Sequence, residues 1–85
     1  MACIVYLKKS AEKELERLPS KIHDKIVNSL VSLEENPRPH GVKKLHGREG
    51  YRLRVEDYRI LYVIHPLEQK VEVFSIAHRK EVYRR

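Results

Sequence analysis

The sequence predicts a single α+β domain, in which a small antiparallel sheet carries a helical hairpin on one face. In the first half of the chain, apolar residues recur three and four positions apart, which is the spacing of one helix face. In the second half they alternate with polar residues or run continuously, which is typical of strands. Because 85 residues cannot support two hydrophobic cores, residues 1–85 are expected to form one domain.

The first half predicts one strand followed by two helices. The segment Cys3–Leu7 is apolar and β-branched and ends at two lysines, so we expect a strand. Ser10 is a candidate N-cap for a first helix, which Pro19 ends, and Ser20 is a candidate N-cap for a second helix. The second helix stops at the two prolines of 36–39. The apolar stripes of the two helices are Ala11, Leu15 and Leu18, and Ile22, Ile26, Leu30 and Leu33.

The second half predicts a three-stranded meander. Residues 51–55 alternate apolar and basic side chains, and Glu56 and Asp57 can form a tight turn. Residues 58–64 are continuously apolar apart from one arginine, as expected of a central strand that is buried on both faces. Residues 70–77 form the last strand, and a short charged tail follows. The predicted order is therefore β-α-α-β-β-β with a C-terminal tail.

The charge of the chain is concentrated in its second half. The net charge is +6; residues 1–42 hold 7 Lys/Arg against 6 Asp/Glu, whereas residues 43–85 hold 11 against 6. Such an asymmetry is expected of a protein that meets a polyanion, and nine arginines suit two-pronged phosphate contacts. Small proteins are also basic for solubility alone, so charge by itself supports both interpretations equally.

Several classes of protein do not fit the composition. The single cysteine cannot form an internal disulfide, and no cluster of Cys and His has the spacing of metal ligands. No apolar segment approaches the roughly 20 residues of a membrane span, and the N-terminus lacks the layout of a signal peptide. We therefore expect a cytoplasmic protein without a metal, a cofactor or a membrane partner.

Four arginines are candidates for a binding or catalytic site. Arg52 and Arg54 share one face of their strand, which the helices leave uncovered because their stripes pack on the other face. Arg59 should lie opposite or nearly opposite Arg54 across the two-residue turn, and Arg79 lies just past the last strand. Like charges this close repel unless an anion lies between them. For any single arginine, a solvated sheet face is the simpler interpretation, whereas the four arginines together favour a functional site.

The residues available for chemistry favour cleavage of RNA. The sequence offers no carboxylate pair flanked by apolar residues, no glycine-rich phosphate loop and no nucleophilic serine or cysteine in a sharp turn. RNA supplies its own nucleophile, the 2′-hydroxyl, so arginines that neutralise charge on the phosphate can suffice. Tyr83 can stack on an unpaired base or pack the tail on the sheet, and His78 is a candidate base.

The stretches KKLHGREGYRLRVEDYRILYVI and VEVFSIAHRKEVYRR resemble the RelE/ParE family of toxins from type II toxin–antitoxin pairs. The resemblance covers essentially the whole chain and implies the order of strands and helices described above. It further implies a ribosome-dependent mRNA endoribonuclease, in which Lys44 and Arg48 touch nearby RNA. The residues that it places in the catalytic site are Arg52, Arg54, Arg59, Arg79 and Tyr83.

The resemblance also implies partners and leaves alternatives. It implies a ribosome with bound message as the target, and an acidic cognate antitoxin that holds the toxin silent in a hetero-oligomer. The best-known cleaving members have lysines at the positions of Arg52 and Arg54, and arginine is a poor general base, so the identity of the base stays open. ParE-type members instead inhibit DNA gyrase without catalysis, and a noncatalytic RNA-binding protein is a third alternative.

Overall fold

The computed structural model describes residues 3–82, which form a five-stranded mixed sheet with two longer helices on one face. Within that part of the chain, no helix is both long enough and apolar enough to cross a bilayer. The elements, in chain order, are β1 Ile4–Leu7, α1 Lys9–Glu16, α2 Ser20–Glu35, β2 Lys43–Lys44, β3 Tyr51–Val55, β4 Tyr58–His65, β5 Lys70–His78 and α3 Arg79–Val82.

The strand order is β1-β5-β4-β3-β2. The predicted meander of β3, β4 and β5 is confirmed, and all three pair antiparallel. The expectation of a purely antiparallel sheet is wrong at β1, which pairs parallel to β5 and makes the sheet mixed. The hairpin of α1 and α2 carries the chain across one face, so β1 and β2 lie at opposite edges of the sheet. Hydrophobic periodicity indicates a strand but does not indicate its pairing partner. The parallel pairing of β1 with β5 could therefore not be predicted from the sequence.

The core lies between the helices and the face of the sheet that they cover. Alternation along β4 turns Ile60 and Tyr62 towards the helices, where both are fully buried. Their pairing partners Leu53 and Tyr51 on β3 share this face and are partly buried against the same core. The stripes of both helices supply the other wall, as predicted. Its fully or nearly fully buried members are Ala11, Ile26, Leu30 and Leu33.

The helix starts differ from the prediction. Neither Ser10 nor Ser20 caps a helix with its side chain; the N-cap residues are Lys8 and Pro19. The Lys8 N–H donates to the Val73 carbonyl at 2.9 Å, which holds Lys8 as the last extended residue after β1. Its own carbonyl accepts the N–H of Glu12, so the helix begins two residues earlier than expected. Contacts with the sheet, and not a capping side chain, set the start of α1.

Candidate functional site

The face of the sheet turned away from α1 and α2, here called the open face, carries the arginines. Cα pairing places Arg52 opposite Leu61 and Arg54 opposite Arg59, so these side chains share the face that the helices leave uncovered. β2 adds a residue that the sequence did not indicate, because Lys43 pairs with Arg52 and therefore points to the same face. The predicted juxtaposition of Arg54 and Arg59 is present in the structure.

Four cationic side chains line one depression on the open face. It has a volume of about 330 Å³, and we call it the basic cleft. Its lining residues are Gly41, Lys43, Arg52, Arg54 and Arg59. Within residues 3–82, no aspartate or glutamate belongs to this lining. A concave site with positive charge and no lining carboxylate attracts anions, and the low-dielectric protein on one side strengthens that attraction.

The carbonyl oxygen of Glu56 lies between the two facing arginines. It accepts N–H groups from Arg54 Nε at 3.3 Å and from Arg59 Nη1 at 3.4 Å. Arg59 Nη1 also donates to the Tyr58 carbonyl at 3.0 Å, and the residue is only 8% exposed. The dipoles of these carbonyl groups offset the repulsion between Arg54 and Arg59. From the sequence, a bound anion was the only group expected to offset it. Because a guanidinium carries five N–H donors, the two contacts of Arg59 leave donors for a ligand.

The exposed Arg79 begins α3, and the backbone ties it to the same turn as Arg59. Its N–H donates to the Asp57 carbonyl at 2.7 Å, in the turn between β3 and β4. The start of α3 therefore adjoins the end of the hairpin that presents Arg54 and Arg59. Tyr83, the remaining predicted catalytic residue, lies outside the described residues.

His78 lies on the other side of the sheet from the basic cleft. It pairs with Tyr58, whose side chain shares the helix-facing side of β4, and its ring meets Tyr58 edge-on with centroids 5.3 Å apart. The Nδ1 atom accepts the Lys80 N–H at 3.3 Å, so a neutral His78 carries its proton on Nε2. In this arrangement Nε2–H can donate a hydrogen bond, and the Nδ1 lone pair that a base would use accepts the Lys80 N–H. His78 adjoins Arg79 in the chain but does not line the basic cleft.

Lys44 and Arg48 lie in a second depression, of about 290 Å³, which we call the rear depression. Lys44 pairs with Tyr51, so its side chain points away from the open face while that of Lys43 points towards it. Arg48 places its guanidinium carbon 4.1 Å from the centroid of the Phe74 ring. Neither Lys44 nor Arg48 lines the basic cleft. Only a prediction of this two-residue strand could have shown that Lys43 joins the arginines.

The opposite half of the open face carries paired charges of both signs. There the Glu72 carboxylate accepts a hydrogen bond from His65 Nε2 at 2.9 Å, and Lys8 Nζ lies 4.0 Å from the same carboxylate. The bond from His65 lowers the pKa of the Glu72 carboxyl, with a further contribution from Lys8, and burial opposes them. Among the described residues, no group of three or more His, Cys, Asp or Glu side chains could hold a metal ion. The cations of the basic cleft, by contrast, share the described lining of that cleft with no carboxylate.

Comparison with known proteins identifies relatives along nearly the whole chain. Residues 5–83 match the family model described as the ParE toxin of the type II toxin–antitoxin system parDE. Toxin RelE of Mycobacterium tuberculosis is 35% identical over 77 residues, which cover 88% of this chain and 79% of that protein.

Two solved structures extend the likeness to three dimensions. A mutant of the Escherichia coli toxin RelE in the free state superposes with a TM-score of 0.80 at 28% identity, covering 99% of this chain and 93% of that one. The archaeal RelE–RelB complex from Pyrococcus horikoshii gives a TM-score of 0.82 at 27% identity, covering 93% and 97%. The fold is therefore the fold of RelE toxins.

Proposed function

This chain belongs to the ParE toxin family of type II toxin–antitoxin systems, and from its basic cleft we propose that it is a RelE-like toxin that cleaves messenger RNA at the ribosome. The observation that carries the proposal is the group of four cations that line the cleft without a lining carboxylate. A phosphodiester that gains charge during cleavage is the kind of ligand that such a site stabilises. Similarity to the toxin RelE supports the same substrate.

The reaction requires little chemistry from the protein. The 2′-oxygen of one nucleotide attacks the adjacent phosphorus, the bond to the 5′-oxygen of the next nucleotide breaks, and a cyclic phosphate and a free 5′-hydroxyl result. One proton leaves the 2′-oxygen and one is delivered to the 5′-oxygen. Arg59, held by two backbone carbonyls, is oriented before the substrate arrives and so stabilises the developing charge without reorganisation.

The division of roles follows from the residue types. Because arginine stays protonated in proteins, Arg52, Arg54 and Arg59 act as charge stabilisers, and Lys43 adds a further positive charge. Arg79 binds the phosphate from the start of α3, beside the turn of the hairpin. Tyr83 remains the candidate for stacking on a base or for moving a proton. This incomplete acid–base set is the reason for dependence on the ribosome, which poses the message for attack.

We expect the free protein to cut ribosome-bound message and to cut naked RNA poorly. The measurement is a translation reaction in which the ends of the message are mapped by primer extension, beside the same message without ribosomes. Arg52→Ala combined with Arg54→Ala serves as the variant that should leave the message intact.

The alternative function is noncatalytic inhibition of DNA gyrase, which the matching family model favours by its description as a ParE toxin. A supercoiling assay with purified gyrase separates the two functions. Inhibited supercoiling together with an intact ribosome-bound message would overturn the ribonuclease proposal and support the inhibitor.

An acidic antitoxin is the proposed partner, because the related Pyrococcus RelE was solved with RelB and this chain carries a net charge of +6. Electrostatic complementarity requires a partner of the opposite sign. We expect affinity purification from the native host to recover a small acidic protein in a hetero-oligomer, and its dissociation to become faster as salt is raised. Recovery of the chain without any acidic partner would count against the toxin assignment.

A further inference from the structure

The turn between β3 and β4 holds three of the proposed catalytic arginines through its backbone. The Glu56 carbonyl accepts the Nε–H of Arg54 at 3.3 Å and an Nη1–H of Arg59 at 3.4 Å. The next carbonyl along the chain, that of Asp57, accepts the N–H of Arg79 at 2.7 Å. A displacement of this two-residue turn would therefore disturb both guanidinium groups and the start of α3 together.

Glu56 adopts a backbone conformation that side chains disfavour. Its φ is 56°, in the left-handed region, where tight hairpin turns usually place glycine, asparagine or aspartate. A glutamate at this position therefore costs backbone free energy that a glycine would not. A contact made by its side chain can offset that cost.

Lys25 of α2 makes such a contact. Its Nζ donates a hydrogen bond to Glu56 Oε2 at 3.1 Å, across 31 positions of the chain. The next residue, Ile26, is fully buried in the core, so the helix gives Lys25 a fixed base. Lys25 itself does not line the basic cleft. The ion pair thus connects a well-packed helix to the turn that carries the two carbonyl groups.

We propose that Lys25 is a positioning residue for the basic cleft, which holds Glu56 and thereby fixes the carbonyl oxygens that orient Arg54 and Arg59. The inference rests on the proposed function, since it adds a residue to the same cleavage reaction. Lys25 takes no part in the bond changes. It reduces the freedom of the two guanidinium groups before the substrate arrives, and preorganised charge is what stabilises the phosphate during the reaction.

A different role for Lys25 would be to neutralise the Glu56 carboxylate. Glu56 and Arg54 line a depression beside the basic cleft, and Arg54 also lines the cleft, so an unpaired carboxylate there would weaken the attraction for anions. The two roles predict opposite effects of Glu56→Ala. Under neutralisation, loss of the carboxylate should speed cleavage. Under positioning, it should slow cleavage as Lys25→Ala does.

The first test is the single-turnover rate of message cleavage with ribosomes in excess. Because both side chains of the pair are 54% exposed, Lys25→Ala should lower the rate by about two- to fivefold, the upper range for an exposed ion pair. The ribosome concentration at half-maximal rate should stay unchanged. Lys21→Ala is the matched control, since it removes an exposed lysine one turn earlier on the same helix and should cleave at the wild-type rate.

A double-mutant cycle tests whether the two side chains act through each other. Glu56→Ala should lower the rate as much as Lys25→Ala, and the double variant should lose no more than either single variant. Exchanging the charges, with Lys25→Glu and Glu56→Lys in one chain, should recover part of the rate.

Glu56→Gly separates positioning from folding. It removes the carboxylate but also relieves the left-handed strain, so the urea midpoint should not fall while the cleavage rate falls about two- to fivefold. A purely structural role of the ion pair would lower the midpoint and the rate together.

Hydrogen exchange of the free protein, followed by NMR, tests the positioning without any substrate. Lys25→Ala should speed exchange of the Arg54 Nε–H and the Arg79 N–H about two- to fivefold, because both hydrogen bonds end on the released turn. Lys21→Ala should exchange as the wild type does. Raising the salt concentration should reduce the difference, since salt screens an exposed pair.

Equal exchange rates in Lys25→Ala and Lys21→Ala would overturn the inference, and so would faster cleavage by Glu56→Ala. Failure of the proposed function looks different. The wild-type protein would then leave ribosome-bound message intact, while Lys25→Ala would still speed exchange at Arg54 and Arg79. In that case the positioning of the arginines would stand and the cleavage reaction would be wrong.

Discussion

Replacing Arg59 with alanine is expected to lower the rate of message cleavage on saturated ribosomes by about 10²–10³, the range for loss of one preorganised electrostatic group. Arg59 is 8% exposed, and its Nη1 is fixed by the carbonyls of Glu56 and Tyr58. Its charge therefore acts on the phosphate from a position of low dielectric and costs no reorganisation during the reaction. The measurement is a single-turnover rate with ribosomes in excess.

Controls separate chemistry from folding. Arg59→Ala also removes two contacts to the β3–β4 turn, so its unfolding by urea must be measured beside its cleavage rate. Arg59→Lys keeps the charge but cannot grip two oxygens, so it should recover only part of the rate. As a control, Arg17→Ala, which removes an exposed arginine, should cleave message at the wild-type rate.

Arg79→Ala tests whether Arg79, at the start of α3, acts on the same phosphate as Arg59. Because the Arg79 N–H bonds to the turn that presents Arg59, we expect the two side chains to act on one phosphate, and a loss of similar size. Unchanged cleavage in folded Arg59→Ala and Arg79→Ala together would remove the basic cleft from the mechanism.

The meander could be predicted because the hydrophobic pattern of its residues indicates which side chains are buried and which are exposed. The continuous apolar run of β4 predicts a central strand that is buried on both faces. The structure places β4 between β3 and β5, and it buries both Ile60, on the face that the helices cover, and Leu61, on the opposite face. The alternation in β3 assigns Arg52 and Arg54 to one face, where the structure places them. In both cases the type of each side chain indicates whether it is buried or exposed.

Other features depend on contacts between distant residues and leave no local signal. β2 contains only two lysines and is a strand because it pairs with β3, so the position of Lys43 in the basic cleft could not be read from its neighbours. The pairing of Arg54 with Arg59 could be predicted from the sequence. The carbonyl oxygen that accepts hydrogen bonds from both and offsets their repulsion could not. That carbonyl belongs to Glu56, whose positive φ of 56° turns the hairpin.

Gly50→Ala is expected to destabilise the protein by about 2–5 kcal/mol, from backbone strain and steric overlap together. Gly50 is buried and has a φ of 139°, a conformation that side chains disfavour. An added Cβ would lie 2.9 Å from the Tyr62 carbonyl oxygen and 2.9 Å from Leu45 Cδ1. The carbonyl belongs to the central strand β4 and cannot move without disturbing its pairing, so the clash cannot be relieved cheaply.

Gly47→Ala is the matched control for this loss. Gly47 also has a positive φ, of 74°, but an added Cβ there meets no atom within 4 Å, so strain alone should cost about 1 kcal/mol. Urea unfolding of both variants gives the comparison. For a domain of this size the larger loss is a substantial part of the total stability. Equal losses would mean that the loop shifts to accept the methyl group. The Leu45 N–H bond to the Gly50 carbonyl, which closes the loop carrying Arg48, would then be too weak to fix the rear depression.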